Sequence, residues 1–139
     1  MVIVDTSVVF KWLVDEEPLS LTKSARNVMI KFLKGEVKAT APDILLYELG
    51  NIFSHKTTLT SEEVKNSWNA FQKINLPIFS PNISFIDRSI DFSLKHRVSV
   101  YDASYAVLAD QKGYDLITAD QKFVSKVNLP YVKALKDYN

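Results

Sequence analysis

The chain has 139 residues and a formal net charge of +1, with no cysteine, two histidines and three glycines. This length suits one domain that buries its own core, and a composition 47% hydrophobic and 24% charged excludes a disordered chain. The residue inventory excludes more: no disulfide framework or thiolate zinc site can form, and no GxGxxG, Walker A or GxSxG motif can be written.

Met1–Val4 is a short β-branched run that reads as a buried parallel strand. No basic stretch precedes an apolar segment there, so no signal peptide is expected. Thr6–Val14 reads as a helix with Val8, Val9, Trp12 and Leu13 on its apolar face. Asp15 to Pro18 breaks the chain, with Pro18 placed to start the next helix. Leu21, Ala25, Val28, Met29, Phe32 and Leu33 recur at helical spacing, and Gly35 marks the end. Val37–Ala41 is a second strand. Pro42-Asp43 opens a helix running to about His55. Thr60 or Ser61 caps another, carrying Val64, Trp68 and Phe71. Leu76–Phe79 is a third strand, and Asn82 to Arg97 is helical. Val98–Tyr101 reads as an extended lead-in, Asp102 as the start of a helix that ends at Gly113. Leu116–Thr118 is a strand, Gln121–Val127 a helix and Tyr131–Ala134 a last strand. Strands alternating with helices predict an α/β fold with a sheet of roughly four or five mostly parallel strands. The apolar run Ile44–Phe53 is interrupted by Glu48 and too short to span a bilayer, so a soluble, cytoplasmic protein with no membrane contact is expected.

In parallel sheets, ligands bind at the carboxyl ends of the strands. Asp5 follows the first strand directly, and Asp120 follows Leu116-Ile117-Thr118-Ala119. Asp102 opens its helix, and Glu48 sits inside an apolar run. Asp5, Asp102 and Asp120 each also suit a helix cap or turn. Glu48 is harder to dismiss, because an unpaired buried carboxylate is costly. Four carboxylates at one sheet edge repel one another unless a cation lies among them. Oxygen ligands, with no cysteine and sparse histidine, favour magnesium or manganese. Such ions acidify a bound water and neutralise a phosphoryl oxygen, which suggests metal-dependent phosphodiester cleavage. Setting those four negative charges aside takes the net +1 of the chain to +5. Lys23, Arg26, Lys31, Lys34 and Lys38 are dense, with Lys122 and Lys126 around Asp120. These read as solvated helix faces, or, for Lys122, as a phosphate contact. His55 and His96 read as solvated helix-end residues.

Val2-Ile3-Val4-Asp5-Thr6-Ser7, Pro42 through Glu48, Tyr101-Asp102-Ala103-Ser104-Tyr105 through Ala109, and Leu116-Ile117-Thr118-Ala119-Asp120 together resemble the PIN domain, in its single-domain, VapC-like form. The resemblance covers essentially the whole chain, 1–139. It implies a three-layer α/β/α sandwich and an acidic site that hydrolyses RNA with magnesium or manganese. Asp5, Glu48, Asp102 and Asp120 fall on the family's acidic positions. Ser7 and Thr118, with Thr6 beside them, fall where hydroxyls support the site by orienting carboxylates or water. Many relatives are toxins held inactive by a small antitoxin whose tail enters the active-site groove, and many are homodimers. The expected homodimer contact is the helix carrying Val64, Trp68 and Phe71, beside Ile52 and Phe53.

Other readings remain open at this stage. One is a catalytically weak PIN-like module that binds RNA or an antitoxin, and another is a housekeeping RNA-processing nuclease. A phosphoacceptor receiver domain finds only a poor match in Val37–Asp43, and a haloacid-dehalogenase-type phosphatase would want a second aspartate where Ser7 stands.

Overall fold

β-branched residues crowd the start of the chain, and Val2–Val4 forms the central strand β1 with all its side chains buried. The computed structural model describes residues 1–56 and 58–138. Parallel strands flank β1 on both sides: β2 (Ala39–Pro42) and β3 (Ile78–Phe79) on one, β4 (Asp115–Thr118) and β5 (Val132–Ala134) on the other. The order is β3-β2-β1-β4-β5, and every pairing is parallel. The chain therefore winds outward from β1 to β3, then crosses back to continue at β4. That reversal makes the carboxyl ends of β1 and β4 a topological switch point, where neighbouring connections diverge and leave a crevice.

Among the described residues seven α-helices cover the sheet: α1 (Thr6–Leu13), α2 (Leu19–Leu33), α3 (Ile44–His55), α4 (Ser61–Ile74), α5 (Ile83–His96), α6 (Val100–Lys112) and α7 (Gln121–Val127). α1 packs on α2, α3 and α4, while α5 packs on α6, which crosses β1, β2 and β4. Right-handed crossovers place these two groups on opposite faces, because the direction of winding reverses after β3. The result is a three-layer α/β/α sandwich.

Local chemistry sets most helix ends. Thr60 and Glu63 form a reciprocal capping box on α4, and the Asn82 side chain accepts the Phe85 N–H at the start of α5. Gly113 closes α6 with φ +66°, a left-handed conformation that a side chain disfavours. One boundary differs from expectation. α6 begins at Val100 rather than Asp102, because the Ser99 hydroxyl accepts the Asp102 N–H at 3.0 Å. The β-branched Val98 and Val100 suggest extension, but a serine cap outweighs two weak strand preferences. Asp102 consequently lies in the first turn of α6 and is not its cap. Two prolines also sit one step earlier than expected: Pro42 ends β2, and Pro18 precedes α2.

The helix expected to carry the homodimer contact, α4, packs part of its apolar face within the chain. Phe10, Phe53, Trp68 and Phe71 form a continuous aromatic chain, with successive ring centroids 5.5, 6.5 and 5.5 Å apart. Phe53 and Phe71 are buried, and Trp68 packs against both. The apolar face of α4 is thus partly covered inside the molecule, with Val64 and Trp68 half-buried. At the edge of this cluster, Lys11 and Lys56 both bind Glu16, at 2.7 and 3.2 Å. Burial pushes the Glu16 carboxyl up, but the bonds and charges of the two lysines outweigh it and hold it below its usual range. No helix among the described residues is long and apolar enough to cross a membrane.

Candidate active site

Asp5 leaves β1 at the switch point and caps α1. Its Oδ1 accepts the Val8 N–H at 3.1 Å and the Ser7 hydroxyl at 2.6 Å, and its Oδ2 accepts the Thr118 hydroxyl at 2.5 Å. Ser7 in turn accepts the Ala119 N–H at 2.9 Å, and Thr118 accepts the Asp120 N–H at 3.0 Å. The ends of β1 and β4 are stitched together through these two hydroxyls, which leaves Asp5 little freedom to move. Asp120 caps α7 by accepting the Phe123 N–H at 3.0 Å. The capping and site readings of Asp5 and Asp120 are therefore compatible, since a cap uses one oxygen and one lone pair of the carboxylate.

Asp5, Asp102 and Asp120 line one small cavity with Tyr105, Leu116, Thr118 and Phe123. Its volume is about 20 Å³, room for a single water-sized occupant. Larger hollows lie elsewhere. One of about 490 Å³ at the amino ends of the strands is mainly apolar and has no carboxylate in its lining. Burial pushes the Asp5 carboxyl up to about 6, against the pull of the Ser7, Thr118 and Val8 hydrogen bonds, and the nearby charge of Glu48 adds to the rise. Asp102 is exposed at the mouth of the cavity. Its carboxyl is also raised, first by partial loss of hydration and further by the charge of Asp120, while Ser99 pulls it back. Among the described residues no lysine or arginine pairs with any of the three.

Glu48 does not line the cavity. It stands half-buried on α3, where Thr6 donates to its Oε1 at 2.9 Å and Tyr105 donates to the same oxygen at 2.5 Å. Four tightly packed carboxylates were expected; the structure gathers three and sets the fourth behind two hydroxyls. Tyr105 links them, since it lines the cavity and holds Glu48. Its role was not read from the sequence, although it lies three residues beyond Asp102 and so on the same helix face. Burial and the Glu48 charge push its phenol far above the ordinary range, so it remains a proton donor. Lys122 lies on the exposed first turn of α7, two residues past Asp120, and is not part of the cavity lining. His55 is exposed at the end of α3, and its Nδ1 lies 2.9 Å from the Asn51 carbonyl. His96 stacks on Phe92.

No three His, Cys, Asp or Glu side chains among the described residues are already drawn into a shell around one point. The donor set nevertheless fits a hard divalent cation. Three carboxylates without a cationic partner face an ion-sized space, two of them pushed toward protonation first by burial and then by a neighbouring carboxylate. Magnesium keeps several waters and needs only one or two carboxylates, so a preformed cage is not required.

The parallel sheet thus carries an acidic crevice at its switch point, where ligands bind in folds of this class. The PIN domain family model matches residues 2–128, and the chain belongs to that family. Ribonuclease VapC3 of Pyrobaculum aerophilum is 29% identical over 91 residues, covering 60% of this chain and 67% of the relative. Among solved structures, PAE2754 from Pyrobaculum aerophilum superposes with a TM-score of 0.71 at 18% identity, covering 97% of this chain and 90% of the other. VapBC2 from Rickettsia felis, bound to a DNA fragment from their promoter, superposes with a TM-score of 0.70 at 16% identity, covering 96% and 97%. At these identities the two structures establish the shared fold.

Proposed function

We propose that the chain, acting as one domain over residues 1–139, is a magnesium- or manganese-dependent endoribonuclease and the toxin of a VapBC-type toxin–antitoxin pair. The observation that carries this reading is the convergence of Asp5, Asp102 and Asp120, from three separate elements, on an ion-sized cavity at the switch point. Membership of the PIN family and the likeness to Ribonuclease VapC3 support RNA as the substrate. The toxin–antitoxin complexes among the structural relatives support a small antitoxin as partner. A cytoplasmic location follows from that role.

The chemistry is hydrolysis: a water oxygen bonds to phosphorus, the bond from phosphorus to the ribose oxygen breaks, and the departing oxygen takes a proton. A divalent ion held by the three aspartates supplies charge neutralisation at the phosphoryl group and a more acidic water. Asp5 is immobilised for this by Ser7, Val8 and Thr118. Asp102 and Asp120, open to solvent, flank the mouth where a phosphodiester arrives. Lys122 offers an exposed cation beside that mouth and holds a flanking phosphate. The decisive assay mixes purified protein with single-stranded RNA. Cleavage is expected with magnesium or manganese and is lost in excess chelator. Full cleavage in chelator overturns the metal mechanism, and no cleavage with either metal overturns the nuclease reading.

The homodimer contact belongs on α5 rather than α4. Ile83, Ile86, Ile90 and Leu94 form a stripe along α5, and Ile83 and Leu94 are 89% and 74% exposed. Asp87, Arg88 and Asp91 lie along the middle of this helix, and Lys95 lies in its last turn with Arg97 at its cap. Antiparallel pairing of two copies about a twofold axis would set this stripe against itself. In light scattering at micromolar concentration the parent is expected to be a dimer and Leu94→Glu a monomer. Leu94 is exposed, so the substitution leaves the fold intact. A folded Leu94→Glu variant that stays dimeric removes α5 from the interface, and a monomeric parent removes the dimer.

A further inference from the structure

We propose that Tyr105, with Thr6, is a positioning residue that holds Glu48 with one carboxylate oxygen fixed and the other open toward a cation or its water. The inference rests on the nuclease reading above and concerns the one acidic position that the cavity itself does not include.

Thr6, Glu48 and Tyr105 come from α1, α3 and α6, three elements that meet only through tertiary packing. The Thr6 hydroxyl lies 2.9 Å from Glu48 Oε1 and 2.9 Å from the Tyr105 hydroxyl, which itself lies 2.5 Å from Oε1. Three oxygens thus form a triangle whose contacts share two hydroxyl protons. A carboxylate oxygen can accept both of them. The arrangement holds Glu48 through two hydroxyl donors on one oxygen. It also commits only Oε1. Among the described residues no side chain or backbone group donates to Oε2. Asp5 is different, because both of its oxygens accept protein donors.

Tyr105 and Thr6 are 3% and 7% exposed, so neither hydroxyl can readily exchange its bond for water. A half-buried glutamate without these donors would be free to change its rotamer. The ordinary alternative is that Tyr105 is a core aromatic whose hydroxyl bonds to the nearest acceptor. The two accounts differ in what removal of the hydroxyl does to the cation, since the phenyl ring of phenylalanine preserves the packing.

The test compares the parent, Tyr105→Phe, Glu48→Gln and the double variant, with two readouts. In chelator, thermal melts of the four proteins form a double-mutant cycle, and the two substitutions are expected to be non-additive because they break the same bond. In manganese titrations followed by calorimetry, Tyr105→Phe is expected to weaken binding about tenfold, the lower end of what outer-shell partners contribute. In the Glu48→Gln background the same substitution is expected to change manganese affinity less than twofold, because there is no carboxylate left to hold (about a factor within ordinary context dependence). Thr6→Val, which is nearly isosteric, repeats the comparison with a smaller loss in the same direction and serves if Tyr105→Phe does not fold. Undiminished manganese affinity in Tyr105→Phe, with a parent that binds manganese and cleaves RNA, overturns this proposal and leaves the nuclease reading intact. An equal loss with and without Glu48 also overturns it, since Tyr105 would then act by another route. A parent that neither binds manganese nor cleaves RNA overturns both.

Discussion

Asp5→Asn is expected to abolish RNA cleavage and, at the same time, to raise the melting temperature of the metal-free protein at pH 7. The loss of activity is expected to be about a thousandfold or more, because several kcal/mol of transition-state stabilisation depend on the cation that Asp5 helps to hold. The gain in stability follows from burial. The folded protein holds the Asp5 carboxyl at about 6, against an unperturbed value of 3.8. Between those values the folded state binds more protons than the unfolded state, so stability falls as pH rises through that window. Above pH 6 the ionised carboxylate carries its full penalty, at most about 3 kcal/mol. Asparagine removes the charge and keeps the shape. Its side-chain oxygen still caps α1, and its amide can donate to Thr118 where the carboxylate accepted. Melting curves in chelator from pH 4 to pH 8 check the sign. The parent and the variant should converge near pH 4 and separate above pH 6, with the variant the more stable. A variant that melts below the parent at pH 7 would mean that the hydrogen bonds of Ser7, Thr118 and Val8 outweigh the burial of the charge.

Manganese at millimolar concentration is expected to stabilise the parent, and to do so more at pH 8 than at pH 5. A ligand present at about a hundred times its dissociation constant adds about 2.7 kcal/mol, which for a domain of this size raises the melting temperature by roughly 5 °C or more. The pH dependence arises because cation and proton compete for the same oxygens. With the Asp5 carboxyl at about 6 and Asp102 also raised, binding at pH 5 must displace protons that are already gone at pH 8. Asp102→Asn should melt no lower than the parent without metal, since it removes a charge that Asp120 opposes. It should also gain less from manganese. Scanning fluorimetry over a manganese series at the two pH values measures all three effects. A parent whose melting temperature does not move with manganese at pH 8 lacks a cation site at these carboxylates.

These two experiments separate the parts of the site. Asp5 is half-buried and held by three hydrogen bonds, so its replacement changes both stability and chemistry. Asp102 and Asp120 are exposed and have room to adjust, so their contribution is felt mainly when a cation is present.

Much of this was legible in the sequence because it is local. The strands are short runs rich in β-branched or apolar residues, and the helices recur with their own period, so the alternation that builds a parallel α/β sheet is written within windows of a few residues. Asp5 and Asp120 follow strands directly, and a residue that ends a parallel strand must lie at the sheet edge where ligands bind. The combination of motifs around Asp5, Asp102 and Asp120 carried the family resemblance that the comparisons confirm. Other features depended on what lies opposite a residue in space. The bond between Glu48 and Tyr105 joins positions 57 residues apart, and no local pattern announces such a meeting. The helices carrying Trp68 and Leu94 both show an apolar stripe. Only packing decided that Trp68 is covered by Phe53 and Phe71 while Leu94 is left to solvent. Periodicity records which residues share a face, but which face is covered depends on the shape and placement of the neighbouring elements, and those exist only in the assembled fold.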